Sequence, residues 1–263
     1  MCHYDNTLVF TYEAGREEHL TPYNCDMSET MTIDHRTRVA AERRERMRAR
    51  LIESAMLVFA EKGAGASVIQ EVIAAAGVSQ GTFYNYFRTN EELLSAVTQE
   101  LNDELLRLIE LEVGSYSDPA RRIACGVRMF LHAAHTYPLL ARFISAAGLH
   151  AAGPSSLIYV YLPVHIEEGL ASGRFRDVTV ELALDVIAGT ALTTVQRFAT
   201  ERETCAPPEQ VVAAILRGLG VSRSEAQALV RSELPSIDAP ANSLLERGHA
   251  RMRDQVHPNA AAG

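Results

Sequence analysis

The sequence is short of lysine, of paired cysteines, of long apolar runs and of catalytic signatures, and each shortage excludes something. Of its 25 basic residues all but one are arginine, the exception being Lys62. That bias makes the abundance of arginine uninformative and leaves its placement as the evidence. The four cysteines, Cys2, Cys25, Cys125 and Cys205, form neither a C-x-x-C pair nor a regular framework, so they read as incidental thiols of a reducing cytoplasm. No stretch of about eighteen residues is both apolar and uncharged, and the N-terminus lacks a basic region followed by an apolar run; the chain is expected neither to span a membrane nor to be exported. A glycine-rich phosphate loop, a G-x-S-x-G elbow and an H-E-x-x-H pair are all missing. No enzyme is expected, and no cofactor. Period-two alternation bounded by turns is missing too, so no strand is predicted.

What the sequence does carry is helical punctuation. Apolar residues recur every three or four positions over roughly 40–62, 67–76, 80–87, 89–113, 119–136, 138–147, 154–172, 178–202, 208–219 and 223–233. Gly63, Gly77, Gly148, Gly173 and Gly220 stand where helices stop; Pro119, Pro138, Pro154 and Pro208 stand where they start. Thr89 with Glu92, and Ser222 with Glu225, have the spacing of capping boxes, and Asp118 before Pro119 is a further start signal. The prediction is an all-α chain of two domains.

Charge is segregated along it. Residues 35–90 hold nine basic and five acidic side chains, a net +4, so the remainder carries −12 of the overall −8. This is the footprint of a small basic reading head on an acidic body. Arg43, Arg44, Arg46, Arg48 and Arg50 crowd the opening turns of the first helix, where cations oppose the helix dipole. Contact with phosphate explains that placement better than a solvated charged face does.

Residues 67–87 are the most informative stretch. Ser67 is a candidate N-cap for a short helix ending near Ala76, Gly77 supplies a left-handed turn, and Ser79 caps a second helix. On that second helix Phe83, Tyr86 and Phe87 share one side, while Gln80, Gly81, Thr82, Tyr84 and Asn85 make a short polar surface with a gap at the glycine. A glycine inside a helix costs ~1 kcal/mol relative to alanine, so its use here is the close approach of another molecule. The layout is that of a helix-turn-helix, with Ser67, Gln80, Gly81, Thr82, Tyr84 and Asn85, helped by Arg43 and Arg44, as the candidate DNA-binding residues.

The run from Gly77 to Phe87, followed by Glu91-Glu92-Leu93-Leu94, resembles the TetR family of bacterial transcriptional repressors over residues 45–97. The resemblance implies a three-helix DNA-binding domain, here 39–105, in which the helix from 89 to 113 is the linker. It implies a larger helical ligand-binding and dimerisation domain, here 106–234, and a homodimer formed by the last two long helices, 178–202 and 208–219. Operator DNA and a small, largely apolar effector are then the partners. The sequence departs from the family at Asn90, where many relatives carry a lysine that touches phosphate.

Within the body, Phe130, His132, Tyr137, Phe143, Tyr161 and His165 are the candidate pocket residues, polar points among apolar ones between helices. Tyr159 joins them, and Pro163 inside its helix removes one backbone hydrogen bond. His132 and His135 have a spacing that can bind metal, but no third ligand lies near them in sequence, and no metal site is predicted. Residues 1–38 read as a disordered lead-in, with Met27 and Met31 as alternative translation starts, and 235–263 as a loose tail in which the amphipathic piece from Leu244 to Met252 is able to form a short surface helix without an assigned role. The reading is a cytoplasmic, ligand-released repressor; the alternatives are an activator or a ligand-independent repressor and, from another class, a small-molecule- or metal-binding helical protein that has lost DNA binding.

Overall fold

Gly77 shows how the local signals become structure. Its backbone sits at φ 60°, ψ 44° and its N–H reaches back to the last carbonyls of the preceding helix, which is how a left-handed residue ends a helix. The computed structural model describes residues 27–63, 67–148, 156–201, 205–235, 237, 239–240 and 243–256. Every regular element among them is an α-helix. In chain order these are α1 (Met27–Lys62), α2 (Ile69–Ala76), α3 (Gln80–Tyr84), α4 (Asn90–Val113), α5 (Pro119–Thr136), α6 (Pro138–Ala147), α7 (Ile158–Ala171), α8 (Val180–Thr200), α9 (Pro208–Gly218), α10 (Arg223–Val230) and α11 (Leu244–Val256). The chain divides into two units, residues 1–44 and 45–263. In the first unit the described side chains from Thr37 to Arg44 are exposed, save Val39, which is half-buried.

Most predicted caps form. Ser79 accepts from the Thr82 N–H, Thr89 from Glu92, Asp118 from Ala120 and Ser222 from Glu225. Both capping boxes are half-closed, because their glutamates turn elsewhere: Glu92 accepts from the Arg88 N–H at 2.8 Å, and Glu225 pairs with Arg174 at 2.8 Å. Helix α7 begins at Ile158, its expected start Pro154 lying outside the described residues, and α10 ends at Val230 rather than 233; four further differences matter more. Helix α1 begins at Met27, well before residue 40, so the expected lead-in is helical from there; residues 1–26 lie outside the described residues. Val68, not Ser67, occupies the N-cap of α2 without a side-chain bond. Its N–H is instead met by Asn90 Oδ1 at 3.4 Å, so the residue where this sequence departs from the family ties α4 to the start of α2. Helix α3 ends at Tyr84 rather than 87, although Phe87 is still buried.

The fourth difference is the tail. A loose end beyond 235 was expected, yet Leu244 and Leu245 are 1% and 4% exposed and α11 packs on α4 and α6. The amphipathic signal was short and isolated; what fixes it is tertiary, a groove ready to bury two leucines.

Unit 45–263 has a continuous core. Leu51, Ile52, Ala55 and Phe59 of α1 meet Val68, Val72, Phe83, Leu93 and Val97, all buried. Burying one such side chain contributes ~1.5 to 3 kcal/mol, enough for Phe83 alone to orient a five-residue helix. In the body α5 is central, with α6, α7, α8 and α9 around it and α4 along one side. Gly126 makes that last contact close: a Cβ there would lie 3.3 Å from Ile109 Cγ2.

Candidate functional site

Two places in the structure present organised chemistry. The first is the outer surface of α3. Ser79 Oγ accepts from the Thr82 N–H at 3.1 Å and lies 2.9 Å from Thr82 Oγ1, fixing the first turn. Phe83 is fully buried, its ring tilted at 48° to that of Phe87 with centroids 6.1 Å apart and met edge-on by Tyr84 at 5.5 Å. With that side anchored, Gln80, Gly81, Tyr84 and Asn85 are exposed and Thr82 is half-exposed. A Cβ on Gly81 would meet nothing within 4 Å. No internal contact requires that glycine, so the gap it leaves faces outward. Around the turn, Arg50 lies over Gly77, its Nη2 3.1 Å from where a Cβ would stand, and Lys62 pairs with Glu71 at 2.6 Å.

Arg43 and Arg44 are exposed and belong to the N-terminal unit. Arg48, one of the five arginines read as facing phosphate, is instead held by Glu100 of α4 at 2.8 Å.

The second place is a cavity of roughly 90 Å³ enclosed by α4, α5, α6, α7, α8 and Ser156. One face of α4 supplies Asn102, Leu105, Leu106, Ile109, Glu110 and Val113, spaced at three and four residues as one helical stripe must be. Phe130, Ile144, Tyr161, Ile187 and Ala191 close the other sides. The walls are apolar apart from one polar end and two further polar groups. At that end, His165 Nε2 lies 3.0 Å from Glu110 Oε2 and its Nδ1 3.3 Å from Arg122 Nη1. Arginine only donates, so Nδ1 is the acceptor and Nε2–H donates to Glu110. Arg122 also donates to Glu168 at 2.5 Å and to the Tyr116 carbonyl at 2.5 Å. With His165 neutral, the cluster holds one cation and two carboxylates; of these Arg122 and Glu110 line the cavity and offset one another, while Glu168, half-exposed, lies outside the lining. Asn102 and Ser156, 7% and 6% exposed, add further polar groups to the lining.

The arrangement of a short helix pair ahead of a helical body is matched in known proteins. Residues 51–97 match the family described as bacterial regulatory proteins, tetR family, and residues 118–232 the tetracyclin repressor-like C-terminal domain. The chain belongs to the TetR family. Among curated TetR-type relatives, the repressor DhaR of Mycobacterium sp. (strain GP1) is 37% identical over 78 residues, 29% of this chain and 39% of DhaR. Rv3405c, a repressor of Mycobacterium tuberculosis, is 33% identical over 82 residues, covering 29% of this chain and 44% of the relative. The matches thus span less than half of these relatives. Among solved structures, RolR in complex with resorcinol is 29% identical with a TM-score of 0.59, covering 75% of this chain and all of that one. FadR of Bacillus subtilis, with stearoyl-CoA, is 22% identical with a TM-score of 0.55 over 66% of this chain and 97% of FadR, a likeness of fold.

Within this TetR chain the structure sorts the candidate pocket residues. Phe130, Tyr161 and His165 line the cavity. His132 does not: it bonds Glu209 of α9 at 3.0 Å. Tyr137 caps α6 and donates to Glu246 of α11 at 2.5 Å, and Phe143 is core, 1% exposed. Tyr159 is exposed, and His135 lies edge-on to Phe198, away from His132. Among the described residues no cluster of His, Cys, Asp or Glu is placed to hold a metal, and no helix is long and apolar enough to cross a membrane. Glu110, Arg122, Asn102 and Ser156 were missed. The available signal was polarity on an inward helix face: Glu110 follows Ile109, and Asn102 follows Leu101, within the stripe of α4.

The predicted interface helices also divide. The apolar stripe of α8 turns inward, with Ile187, Ala188 and Ala191 on the cavity, and Ile215 of α9 is 1% exposed. What remains outside is Glu181, Leu182, Asp185, Gly189, Thr193, Gln196, Arg197 and Thr200 on α8, with Gln210, Ala214, Arg217 and Gly218 on α9, the small Gly189, Thr193, Ala214 and Gly218 among them. The two strips adjoin, since a Cβ on Gly218 would lie 3.5 Å from Val186.

Proposed function

We propose that the protein is a cytoplasmic, homodimeric repressor that binds a palindromic operator through α3 and is released by a small, uncharged molecule carrying hydroxyl groups. The observation that carries this is the course of α4. Its first turns place Leu93 and Val97 in the core beneath α3, and the same unbroken helix lines the cavity from Asn102 to Val113. A ligand that shifts the cavity end of α4 therefore moves the anchor of the reading helix. A volume of roughly 90 Å³ suits about one ring, and the balanced Glu110, His165 and Arg122 end suits a hydroxyl rather than an ion. The RolR structure with resorcinol supports the class.

Gln80, Gly81, Tyr84 and Asn85 are the base-reading residues in this proposal, with Thr82 and Ser67 beside them and Arg43 and Arg44 on phosphates. Dimerisation uses the small outer strips of α8 and α9, which allow backbones to approach in a four-helix contact and set two α3 helices about one turn of DNA apart or a multiple of it.

The test is a titration of resorcinol with and without an operator selected from a randomised duplex library. A coupling of ~1 to 3 kcal/mol lowers operator affinity roughly 5- to 150-fold, and linkage requires operator to weaken resorcinol by the same factor. Ligand binding that saturating operator leaves unchanged would show a cavity uncoupled from the head.

A further inference from the structure

Helix α11 lies beyond the residues that either family description matches, which end at 232. It nevertheless makes more directed contacts than a packed tail needs. Its N-terminus is held by α4, where Glu104 accepts the N–H groups of Leu244 at 2.8 Å and Leu245 at 3.4 Å. A carboxylate there meets both unsatisfied donors and the positive end of the helix dipole. Its middle reaches α1, where Arg247 Nε donates to Glu53 Oε2 at 3.0 Å and Gly248 lies so close that a Cβ would come within 2.1 Å of Met56 Cε. Its other side is fixed to the body by Glu246 to Tyr137.

These contacts close a triangle. Glu100 and Glu104 stand one turn apart on the same side of α4. Glu100 grips Arg48 of α1 directly, while Glu104 grips α11, which in turn grips Glu53 of the same α1. Glu53 is 9% exposed, a buried carboxylate whose counter-charge comes from α11. Glu104 also sits in sequence between Asn102 and Leu105, which line the cavity.

We propose that α11 is a positioning strut: it holds the reading head in its operator-binding pose on the body and gives the cavity a second connection to α1, parallel to α4 itself. The inference rests on the DNA-binding reading above. It assigns to the C-terminal segment a part in operator affinity without any contact with DNA.

The experiment uses the full chain and an operator selected by the wild type from a randomised library. Arg247→Glu places two carboxylates together, and Gly248→Leu wedges α11 away from Met56. Each is expected to lower operator affinity by about tenfold, the scale of residues that couple two sites. The double exchange Glu53→Arg with Arg247→Glu is expected to return affinity to within about twofold of wild type, a rescue that mere loss of packing would not give. Unchanged affinity in both single variants overturns the proposal, as does a loss that the double exchange leaves uncorrected. A wild type that selects no sequence marks failure of the DNA-binding reading instead.

Discussion

Two glycines set the reading head against the body. Gly81 stands on an exposed helix face with nothing within 4 Å of a would-be Cβ, whereas at Gly169 a Cβ would come within 2.1 Å of the Phe175 ring. Nothing inside the protein asks for the first, so its reason lies outside; the second is demanded by the interior, where Phe175 is 2% exposed and its N–H bonds the Gly169 carbonyl at 2.9 Å. The head is organised by short-range signals and leaves a polar face of α3 exposed. The body is organised by long-range packing around a space kept inside.

The sharpest way to break this contrast is to fill both gaps. Gly81→Leu improves helix propensity and meets no internal atom, so the melting temperature should hold or rise while operator binding falls by on the order of 100-fold or more. Restored binding with an intact fold would mean that α3 does not approach the groove closely. Gly169→Ala should do the reverse: overlap with Phe175 costs ~1 to 3 kcal/mol, read as a fall of several degrees in melting temperature. A tolerated alanine would show that α7 and the Phe175 turn are free to move apart.

The next test separates ligand from DNA within the body. His165→Ala removes the group that bridges Glu110 and Arg122, and resorcinol affinity should fall by about tenfold, with ligand-free operator affinity little changed. Calorimetry with resorcinol and a fluorescence titration with operator, run on the same preparation, check the two halves. Equal losses in both would place His165 in the structural link rather than in ligand recognition.

The smallest expected effect lies within the body, where Asp118 caps α5 and is gripped by Arg174 through bonds of 2.8 Å. The Arg174 guanidinium first, then the Ala120 N–H, outweigh burial and hold the Asp118 carboxyl below its ordinary value of 3.8. A carboxyl depressed on folding contributes stability that is complete above the ordinary value and is lost as pH falls through the depressed one. Asp118→Asn keeps a cap but loses the charge, so the variant should be on the order of 1 kcal/mol less stable at neutral pH. Denaturant titrations at pH 7 and below pH 3 should show that difference shrinking on acidification; a constant difference would mean the ion pair contributes nothing.

How far each region was legible follows from the range of the forces involved. Ser79, Gly77, Thr89 and Asp118 act on backbone groups two to four residues away, and the structure forms the caps and the turn as read. The exposed set Gln80, Gly81, Tyr84 and Asn85 was legible for the same reason, since a buried Phe83 fixes what its helix must show to solvent. In the body, type and order of the helices were read correctly, but partners were not. His132 went to Glu209, Tyr137 to Glu246 and Arg48 to Glu100, each across 52 to 109 residues of chain. No local pattern encodes which of several polar side chains on a helix will meet a particular carboxylate.

The sequence by itself determined an all-helical chain, most of its helix starts and stops, and an exposed polar face on α3, because helix periodicity, capping and the steric freedom of glycine are local physics. Only the tertiary structure decided that Glu110, His165 and Arg122 share one end of a cavity and that Phe143 belongs to the core. It likewise decided that the C-terminal residues bond to both α1 and α4. Those outcomes depend on which faces of distant helices close on one another, a choice made by burial summed over the whole core and by the pairing of charges that burial leaves without water.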